Sequence, residues 1–386
     1  MSGAFLSRVV FMRRFTDYVL LDQKVCQLAS SIETNLLVYT NPQNLSVEKK
    51  KFFEALEKKE VYNPSFTYVP RNPLYSYFTL SPSFDTYRNE LKELIRRSGR
   101  DPLGIIFERK ILDLFDRMEM IRSVGTENFS SNSEGYYGTI EPRTLNLAKE
   151  LLAKEHTTEE KTINFEKAKE LVTAFLKKKR LPYKVVPKVT HGSKFSVNVR
   201  TKEIMINDSI MLSPGSIKRL ISHEIEGHIY RYENGLRQPY TIFSRGLSKE
   251  TLETEEGLAV VIEQMQGINV DPQLREYAGR VLAVDIASKK SFFDTFTKLT
   301  EYFGKEEAFN ITLRAKRGVF RQDTGGAFSK DILYLQGLLV VQDYLKNAKI
   351  EDLYFGRYSV FDSQLVAQVD GLKAPKFLPE CVSKKS

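Results

Sequence analysis

The most chemically suggestive stretch of the 386-residue chain reads HEIEGH and runs from His223 to His228. It holds two of the four histidines of the chain, and an acidic residue, Glu224, directly follows the first of them. Two imidazoles with an adjacent glutamate are typical of a hydrolytic zinc site, in which the histidines bind the metal and the glutamate acts as general base. We therefore predict a metal site here, and we expect the other two histidines, His156 and His191, to have ordinary structural roles.

The spacing of the two histidines is unusual for a regular α-helix. In the familiar zinc-protease helix the histidines are four residues apart and share one face, whereas His223 and His228 are five apart. An ideal helix would turn the second imidazole roughly 140° away from the first, too far for both to bind one ion. A π-bulge absorbs the extra residue, and Gly227 has no side chain to obstruct it. We predict a π-bulge between His223 and His228.

A metal held by two histidines needs a third protein ligand, which leaves a fourth position for water. The two cysteines, Cys26 and Cys381, lie near opposite ends of the sequence, so we expect this ligand to be a carboxylate. The segment from Thr254 to Ala259 puts two acids, Glu255 and Glu256, among residues that otherwise have the composition of a core. An acid buried there needs a partner, and a cation would provide one. The candidates for the third ligand are the four glutamates of this segment's helix, Glu253, Glu255, Glu256 and Glu263, and the buried setting favours Glu255 and Glu256.

These residues must be positioned by helices. The histidine stretch falls in a helix predicted from Ser213 to Tyr232, because Ser213 is a good N-cap and Pro214 suits the first helical position. Apolar residues at helical spacing predict further helices at Ser248 to Gln264, Leu274 to Ser288 and Asp331 to Leu345. Alternating or β-branched residues predict three short strands at Tyr183 to Val189, Phe195 to Val199 and Glu203 to Ile206. The pattern favours a helix-rich α+β fold with one small sheet.

The domain organisation is predicted from a change in composition. The first third of the chain has mostly helical spacing, and the stretch from Ser123 to Gly138, with its Ser, Asn and Gly residues, has the composition of a loop. We place a boundary there. Residues 1–135 are predicted to form a mostly helical N-terminal region and residues 136–386 a catalytic domain, and the two could form one continuous unit.

The charge and hydropathy of the chain limit the classes of partner and the cellular compartment that we expect for it. The formal net charge of +9 favours an acidic partner, but the lysines are spread over many segments, so a nucleic-acid groove is not expected. The sequence has no apolar run long enough to cross a bilayer, and Arg8, Arg13 and Arg14 interrupt the N-terminal stretch before a signal-peptide core develops. We expect a cytoplasmic protein that does not enter the membrane.

These motifs resemble those of a known family, the tyrosine carboxypeptidases. That family includes the microtubule-associated enzyme that removes the C-terminal tyrosine of α-tubulin, together with bacterial relatives named for a QEGLA motif. The resemblance is carried by the HExxxH stretch and by later motifs at Asn234, Gly235, Arg237, Gln238 and Pro239, at Thr254 to Ala259, and at Phe328, Ser329, Lys330, Asp331 and Tyr334. Weaker similarity extends it from Tyr62 to Leu345. Two residues depart from the pattern, since Glu255 stands where the motif has Gln and Ser329 where it usually has Thr.

The resemblance implies a zincin-like zinc metallopeptidase, most simply a carboxypeptidase that releases an aromatic, Tyr-like residue from a peptide or protein C-terminus. It implies zinc ligands at His223, His228 and Glu256, with Glu224 as the catalytic base. The choice of Glu256 follows zinc peptidases in which the third-ligand Glu precedes a Gly on the helix after the histidine helix. Glu255 is the alternative.

Two further roles are needed by a carboxypeptidase. The oxyanion that forms during attack needs a hydrogen-bond donor, for which Tyr334 is our first choice and Tyr230 and Tyr232 are alternatives. The terminal carboxylate of the substrate needs a cation, and Arg321 and Lys330 are the candidates. The competing hypotheses are a zinc endopeptidase or aminopeptidase with the same metal site, and a zinc-containing regulatory protein without turnover.

Overall fold

The computed structural model describes residues 3–33, 36–68, 84–154, 159–188, 195–268 and 270–383. His156 and His191 lie outside the described residues, so the expectation about them stays a prediction. The helices that precede the sheet in the chain are α1 (Gly3–Ile32), α2 (Leu37–Thr40), α3 (Leu45–Glu57), α4 (Phe84–Arg97), α5 (Pro102–Arg122), α6 (Phe129–Tyr137), α7 (Pro142–Ala153) and α8 (Phe165–Lys178).

A small sheet separates these helices from the second half of the chain. Its strands are β1 (Lys184–Lys188), β2 (Phe195–Asn198) and β3 (Glu203–Asn207). The strand order is β1-β3-β2, with β1 parallel and β2 antiparallel to β3. The central strand is the most buried, since Ile204 and Ile206 are fully enclosed. The three strands lie where the sequence predicts them, and the helix-rich α+β fold with one small sheet is confirmed.

The second half of the chain is again mostly helical. Its α-helices are α9 (Pro214–Leu220), α10 (Tyr230–Leu236), α11 (Thr251–Met265), α12 (Asp271–Ala287), α13 (Phe292–Leu299), α14 (Lys305–Lys316), α15 (Leu333–Tyr344), α16 (Ser363–Val366) and α17 (Glu380–Ser383). Short 3-10 turns lie at Thr241–Ser244, Ser329–Ile332, Ile350–Tyr354 and Val360–Asp362. In the described part of the chain, no helix combines the length and the apolar character that crossing a membrane requires.

A close crossing of two helices fixes the element that carries the predicted third ligand. Helices α11 and α15 pack along each other and meet at Gly257 and Gly337. A Cβ atom added to Gly257 would lie 2.1 Å from both the carbonyl carbon and the carbonyl oxygen of Gly337. Only glycine fits at such a backbone-to-backbone approach. Gly257 directly follows Glu256 in α11. The backbone contact with Gly337 therefore fixes the position from which the Glu256 side chain projects.

One prediction about the first half is wrong. The stretch from Ser123 to Gly138, expected to be a loop, contains helix α6. Its aromatic residues, Phe129, Tyr136 and Tyr137, are buried, and this burial outweighs the low helix propensity of the Ser, Asn and Gly residues between them. The division of the chain near residue 135 stays a prediction.

Candidate metal centre and active site

The two histidines lie on a helix that changes its winding at the predicted place. Ser213 caps the start of α9 by accepting a hydrogen bond from the backbone N–H of Ser216 at 3.1 Å. A π-helix then runs from Ile221 to Ile229 between α9 and α10. We call α9, this π-helix and α10 the histidine helix. The wider winding puts His223 and His228 on one face, with ring centroids 5.0 Å apart. The predicted π-bulge is confirmed.

The π-helix packs directly on α11. A Cβ atom added to Gly227 would lie 3.0 Å from the Cβ of Ala259. The glycine thus has a second role besides relieving the distorted winding, because its missing side chain lets the histidine helix approach the helix that carries the acids. This contact places the HExxxH stretch and the Glu-Glu-Gly stretch side by side.

Three side chains converge at this contact. The potential ligand atoms of His223, His228 and Glu256 all lie within 4.8 Å of one another. The distance from Nε2 of His223 to Oε2 of Glu256 is 3.5 Å. Two ligands bound tetrahedrally to zinc at ordinary bond lengths are about 3.3–3.4 Å apart. Two imidazole nitrogens and one carboxylate oxygen, close to that spacing, form a donor set that fits a metal ion with one open position.

A second acid of α11, Glu263, contacts the Nδ1 atom of His223. This Nδ1 atom lies 2.6 Å from Oε1 of Glu263, a carboxylate that is fully buried. The other oxygen of Glu263 accepts a hydrogen bond from Nε of Arg219 at 3.2 Å, and Arg219 also donates to the hydroxyl of Tyr277. A carboxylate on the far nitrogen orients an imidazole and makes it a stronger metal ligand. Nε2 of His223 is thereby left for the metal.

His228 has a matching partner in Glu255, the alternative third ligand of the sequence analysis. Oε2 of Glu255 lies 3.4 Å from Nδ1 of His228. The same carboxylate pairs with the buried guanidinium of Arg231. It also accepts a hydrogen bond from Nε of Arg357 at 3.0 Å and forms an ion pair with Nη2 of Arg357 at 2.9 Å. Burial alone would raise the pKa of Glu255, but Arg357 and Arg231 hold that pKa well below its usual range. Glu255 therefore lies behind a histidine, and Glu256 faces the ligand cluster.

The electrostatics of the cluster favour a cation. Burial alone would lower the pKa of His223, but its hydrogen bonds with Glu256 and Glu263 outweigh this and raise the pKa to about 9. The pKa of Glu256 is lowered although burial opposes this, because His223, His228 and Lys330 stabilise its charge. Surroundings that stabilise a positive charge between these carboxylates also suit a metal ion.

Glu224 and Tyr334 lie beside the ligands and are only partly buried. The Glu224 carboxylate has no hydrogen-bond partner among the described residues, and its charge acts on Arg219 and Lys188. The Tyr334 ring stacks on Tyr277 with centroids 4.6 Å apart. Burial and the nearby charge of Glu256 raise the pKa of Tyr334, so its hydroxyl stays protonated. Both side chains keep part of their surface exposed to solvent.

The alternatives to Tyr334 are placed differently. The hydroxyl of Tyr230 is buried beside Glu226 and Glu380, and its ring packs on Phe377 with centroids 5.4 Å apart. Tyr232 influences the pKa of Tyr183, at the start of the sheet. The charge of Glu256 acts on the hydroxyl of Tyr334, whereas the charges that act on the hydroxyl of Tyr230 are those of Glu226 and Glu380.

The two cations predicted to bind a terminal carboxylate are also in different places. Lys330 is largely buried close to Glu256, and burial together with Arg317 lowers its pKa to about 8. Arg321 is exposed, forms two hydrogen bonds with Asp323 at 3.0 Å and 2.6 Å, and lines a surface cavity with Glu127. The structure brings Lys330 close to Glu256, whereas Arg321 is paired with Asp323 at the surface.

A prediction about the second acid follows directly. Replacing Glu263 by Gln keeps a hydrogen-bond acceptor for His223 but removes the negative charge, so we expect metal affinity to fall by about 10–100-fold. Competition with a chelator of known affinity measures this. The matched control is Glu54→Gln, which changes an exposed glutamate of α3 and should leave affinity unaltered. Equal affinity in the Glu263 variant and the wild type would show that the buried carboxylate does not support the site.

Comparisons with known proteins point to one family. A family model described as microtubule-associated tyrosine carboxypeptidase matches residues 50–386. Human MATCAP2, named as a candidate tyrosine carboxypeptidase, is 30% identical over 173 residues, which are 42% of this chain and 33% of that protein. Rat microtubule-associated tyrosine carboxypeptidase 1 is 32% identical over 128 residues, which are 32% of this chain and 27% of that protein.

The matched stretches span about a third of the length of these curated relatives. The family model, in contrast, covers most of the present chain and includes the histidine helix, α11 and Lys330. The resemblance noted in the sequence is therefore confirmed at the level of the family. The chain belongs to the microtubule-associated tyrosine carboxypeptidase family.

Proposed function

We propose that this protein is a zinc carboxypeptidase that releases one residue at a time from the C-terminus of a peptide or protein. The observation that carries the proposal is the ligand cluster itself, in which His223, His228 and Glu256 converge and each imidazole is backed by a further carboxylate. Three protein ligands of this chemistry, with a fourth position open, are typical of catalytic rather than structural zinc.

The proposed roles divide the chemistry between the metal and the chain. Zinc held by the three ligands supplies Lewis acidity, which lowers the pKa of water and polarises the scissile carbonyl. Glu224 removes the proton from the attacking water through its carboxylate oxygen and then delivers it to the nitrogen of the leaving amine. Its lack of a hydrogen-bond partner among the described residues supports this role, because the carboxylate is not committed elsewhere.

Two further side chains complete the proposal. The Tyr334 hydroxyl donates a hydrogen bond to the oxyanion, since burial keeps it protonated close to Glu256. The Lys330 ammonium attracts the terminal carboxylate of the substrate, because it lies near Glu256 and makes no hydrogen bond or ion pair within the described part of the chain. Arg321 has weaker support for this role, as Asp323 already neutralises it.

The proposed substrate ends in tyrosine. This preference is supported by the names of the relatives, which describe tyrosine carboxypeptidases. The net charge of +9 would draw an acidic peptide toward the protein. The rat relative is named as microtubule-associated, and on that basis we propose the cytoplasm as the compartment.

The test is mass spectrometry of peptides after incubation with the protein. The set ends in Tyr, Phe or Glu, and each peptide is also made with an amidated C-terminus and with an acetylated N-terminus. The proposal predicts loss of one C-terminal residue, fastest for Tyr, with no effect of N-terminal acetylation and little reaction of the amides. Internal cleavage would assign an endopeptidase, N-terminal loss an aminopeptidase, and bound zinc without any cleavage a regulatory protein.

A further inference from the structure

Arg317, directly after α14, is a buried cation without a partner. The residue is 5% exposed, and its Nε atom is buried without a hydrogen-bond acceptor. Within the described residues its side chain makes no hydrogen bond or ion pair, and its recorded contact is with the ring of Phe328, whose centroid lies 5.4 Å from the guanidinium carbon. A buried charge in this state costs folding free energy unless something pairs with it.

Two other arginines of the described chain that are largely or fully buried have acidic partners. Arg314, three residues earlier, donates to both oxygens of Asp331 at 2.5 Å and 2.7 Å. The fully buried Arg231 has Glu255 and backbone carbonyls as acceptors. Burial and the charge of Arg314 lower the pKa of Arg317 to about 10, so the side chain is still a cation at neutral pH. Its unpaired state is thus an exception in its own surroundings.

A second unpaired cation lies beside it. The ammonium of Lys330 also has no hydrogen-bond or ion-pair partner among the residues described, and Arg317 is the charged neighbour that lowers its pKa most. The one nearby acid that could neutralise both, Asp331, is occupied by Arg314. Glu256 is the other acid whose charge acts on Lys330. Lys330 therefore lies within electrostatic range of Glu256, and Arg317 lies within range of Lys330.

We infer that Arg317 and Lys330 together bind the terminal carboxylate of the substrate, and that Arg317 restricts the enzyme to free C-termini. A guanidinium donates two parallel hydrogen bonds to a carboxylate, whereas an ammonium acts as a point charge. The inference rests on the proposed function and deepens it. In a carboxypeptidase the terminal carboxylate lies one residue from the scissile bond, so its binding site must lie near the metal. Lys330 meets this requirement through its interaction with Glu256, and Arg317 acts on Lys330 and packs on Phe328, two residues before it.

The pair also accounts for selection against other substrates. An amidated C-terminus or an internal peptide bond would occupy the same space without a negative charge, and Arg317 would remain buried and unpaired. Binding of such a substrate is weakened because the desolvated guanidinium of Arg317 has no counter-charge in that complex. Specificity for the end of a chain would then come from this residue, independently of the side chain being released.

The experiment measures binding apart from catalysis. Peptides that end in Tyr, as the free acid and as the amide, are titrated against zinc-loaded protein carrying Glu224→Gln, and the same protein carrying Arg317→Met in addition. We expect the free acid to bind about 10–100-fold more weakly after the arginine is removed, as for loss of a charged hydrogen-bonded pair, while the amide binds equally to both. Lys330→Met should weaken binding of the free acid in the same direction.

The Tm of the Arg317→Met variant distinguishes a substrate-binding role of Arg317 from a structural one. Arg317→Met removes an unpaired buried charge and keeps the packing on Phe328, so we expect an unchanged or higher Tm. Arg314→Met is the matched comparison. It leaves the buried Asp331 without its ion-pair partner and should lower Tm. Arg96→Met, at an exposed arginine of α4, is the control for peptide binding. A lowered Tm or loss of folding in Arg317→Met would mean that the charge has a structural partner, and would overturn the inference.

The remaining outcomes also decide the matter. Equal affinity of the Glu224→Gln protein for the free acid and the amide would overturn the inference. So would an equal loss of affinity for the two peptides when Arg317→Met is added. Loss of free-acid binding in Arg321→Met instead would assign the carboxylate to the surface arginine and overturn it as well. Should the wild type release no residue from any peptide, the proposed function fails, while the difference between acid and amide binding still tests the two cations.

Discussion

Replacing Glu224 by Gln is expected to lower kcat by about 10²–10⁴-fold while zinc stays bound. Glutamine has nearly the shape of glutamate but cannot accept the proton of the attacking water. The carboxylate is partly buried, has no hydrogen-bond partner among the described residues, and belongs to the residue that directly follows His223. Its loss should therefore leave the cluster of His223, His228 and Glu256 intact. Single-turnover release of the terminal residue, with zinc content measured on the same sample, separates the two effects.

The matched control is Glu226→Gln, two residues along the same π-helix. Glu226 is buried away from the ligands, where it accepts hydrogen bonds from the side chain of Gln266 and from the backbone N–H of Glu380. The two hydrogen bonds go to different carboxylate oxygens, so glutamine keeps an acceptor for one donor only and the variant should be somewhat less stable. Neither hydrogen bond involves the ligand cluster, so turnover should stay close to that of the wild type. Retained turnover in the Glu224 variant, or loss in both variants together, would remove the case for Glu224 as the base.

Replacing Gly257 by Ala is expected to reduce the free energy of unfolding by about 3 kcal/mol or more, at the upper end of what overpacking costs. The added Cβ would lie 2.1 Å from the carbonyl of Gly337 and 2.6 Å from the backbone nitrogen of Leu338. Backbone atoms in packed helices cannot turn aside as a flexible side chain can, so α11 and α15 must separate. Glu256 directly precedes the substituted position, and metal affinity should fall with stability.

Denaturant unfolding and a metal titration measure these two losses. Gly135→Ala is the control, because Gly135 lies within α6 with no atom within 4 Å of an added Cβ. Alanine is a better helix former than glycine, so this variant should be unchanged or slightly more stable. A Gly257 variant as stable as the wild type would mean that α11 and α15 do not approach as closely as the structure has them.

The sequence predicts the metal-binding helix well because its geometry is local. His223 and His228 are five positions apart and cannot share an ion on a regular α-helix, and this spacing alone requires the π-helix that the structure contains. The strands are predicted for a similar reason, since their alternation is a short-range pattern. Helix α6 was missed because its stability comes from buried aromatic residues that pack against distant parts of the chain.

The surroundings of the ligands depend on contacts between distant segments. The run of acids in α11 indicates that cations must be near, yet it cannot show that Glu255 lies behind His228 while Glu256 faces the cluster. Glu263 is seven residues from Glu256, so both fall on one face of α11, which is the available sequence signal for its role. Arg317 gave no such signal, because an arginine beside other basic residues is usually a solvated surface group.

Metal dependence of C-terminal release tests the proposed catalytic centre most directly. The metal content of the purified protein is measured, the metal is removed with a chelator, and release of Tyr from a free-acid peptide is followed before removal, after removal and after zinc is returned. We expect one zinc per chain, no release by the metal-free protein, a lowered Tm in that state, and recovery of both on adding zinc. Release that continues undiminished without metal would contradict a catalytic centre at His223, His228 and Glu256.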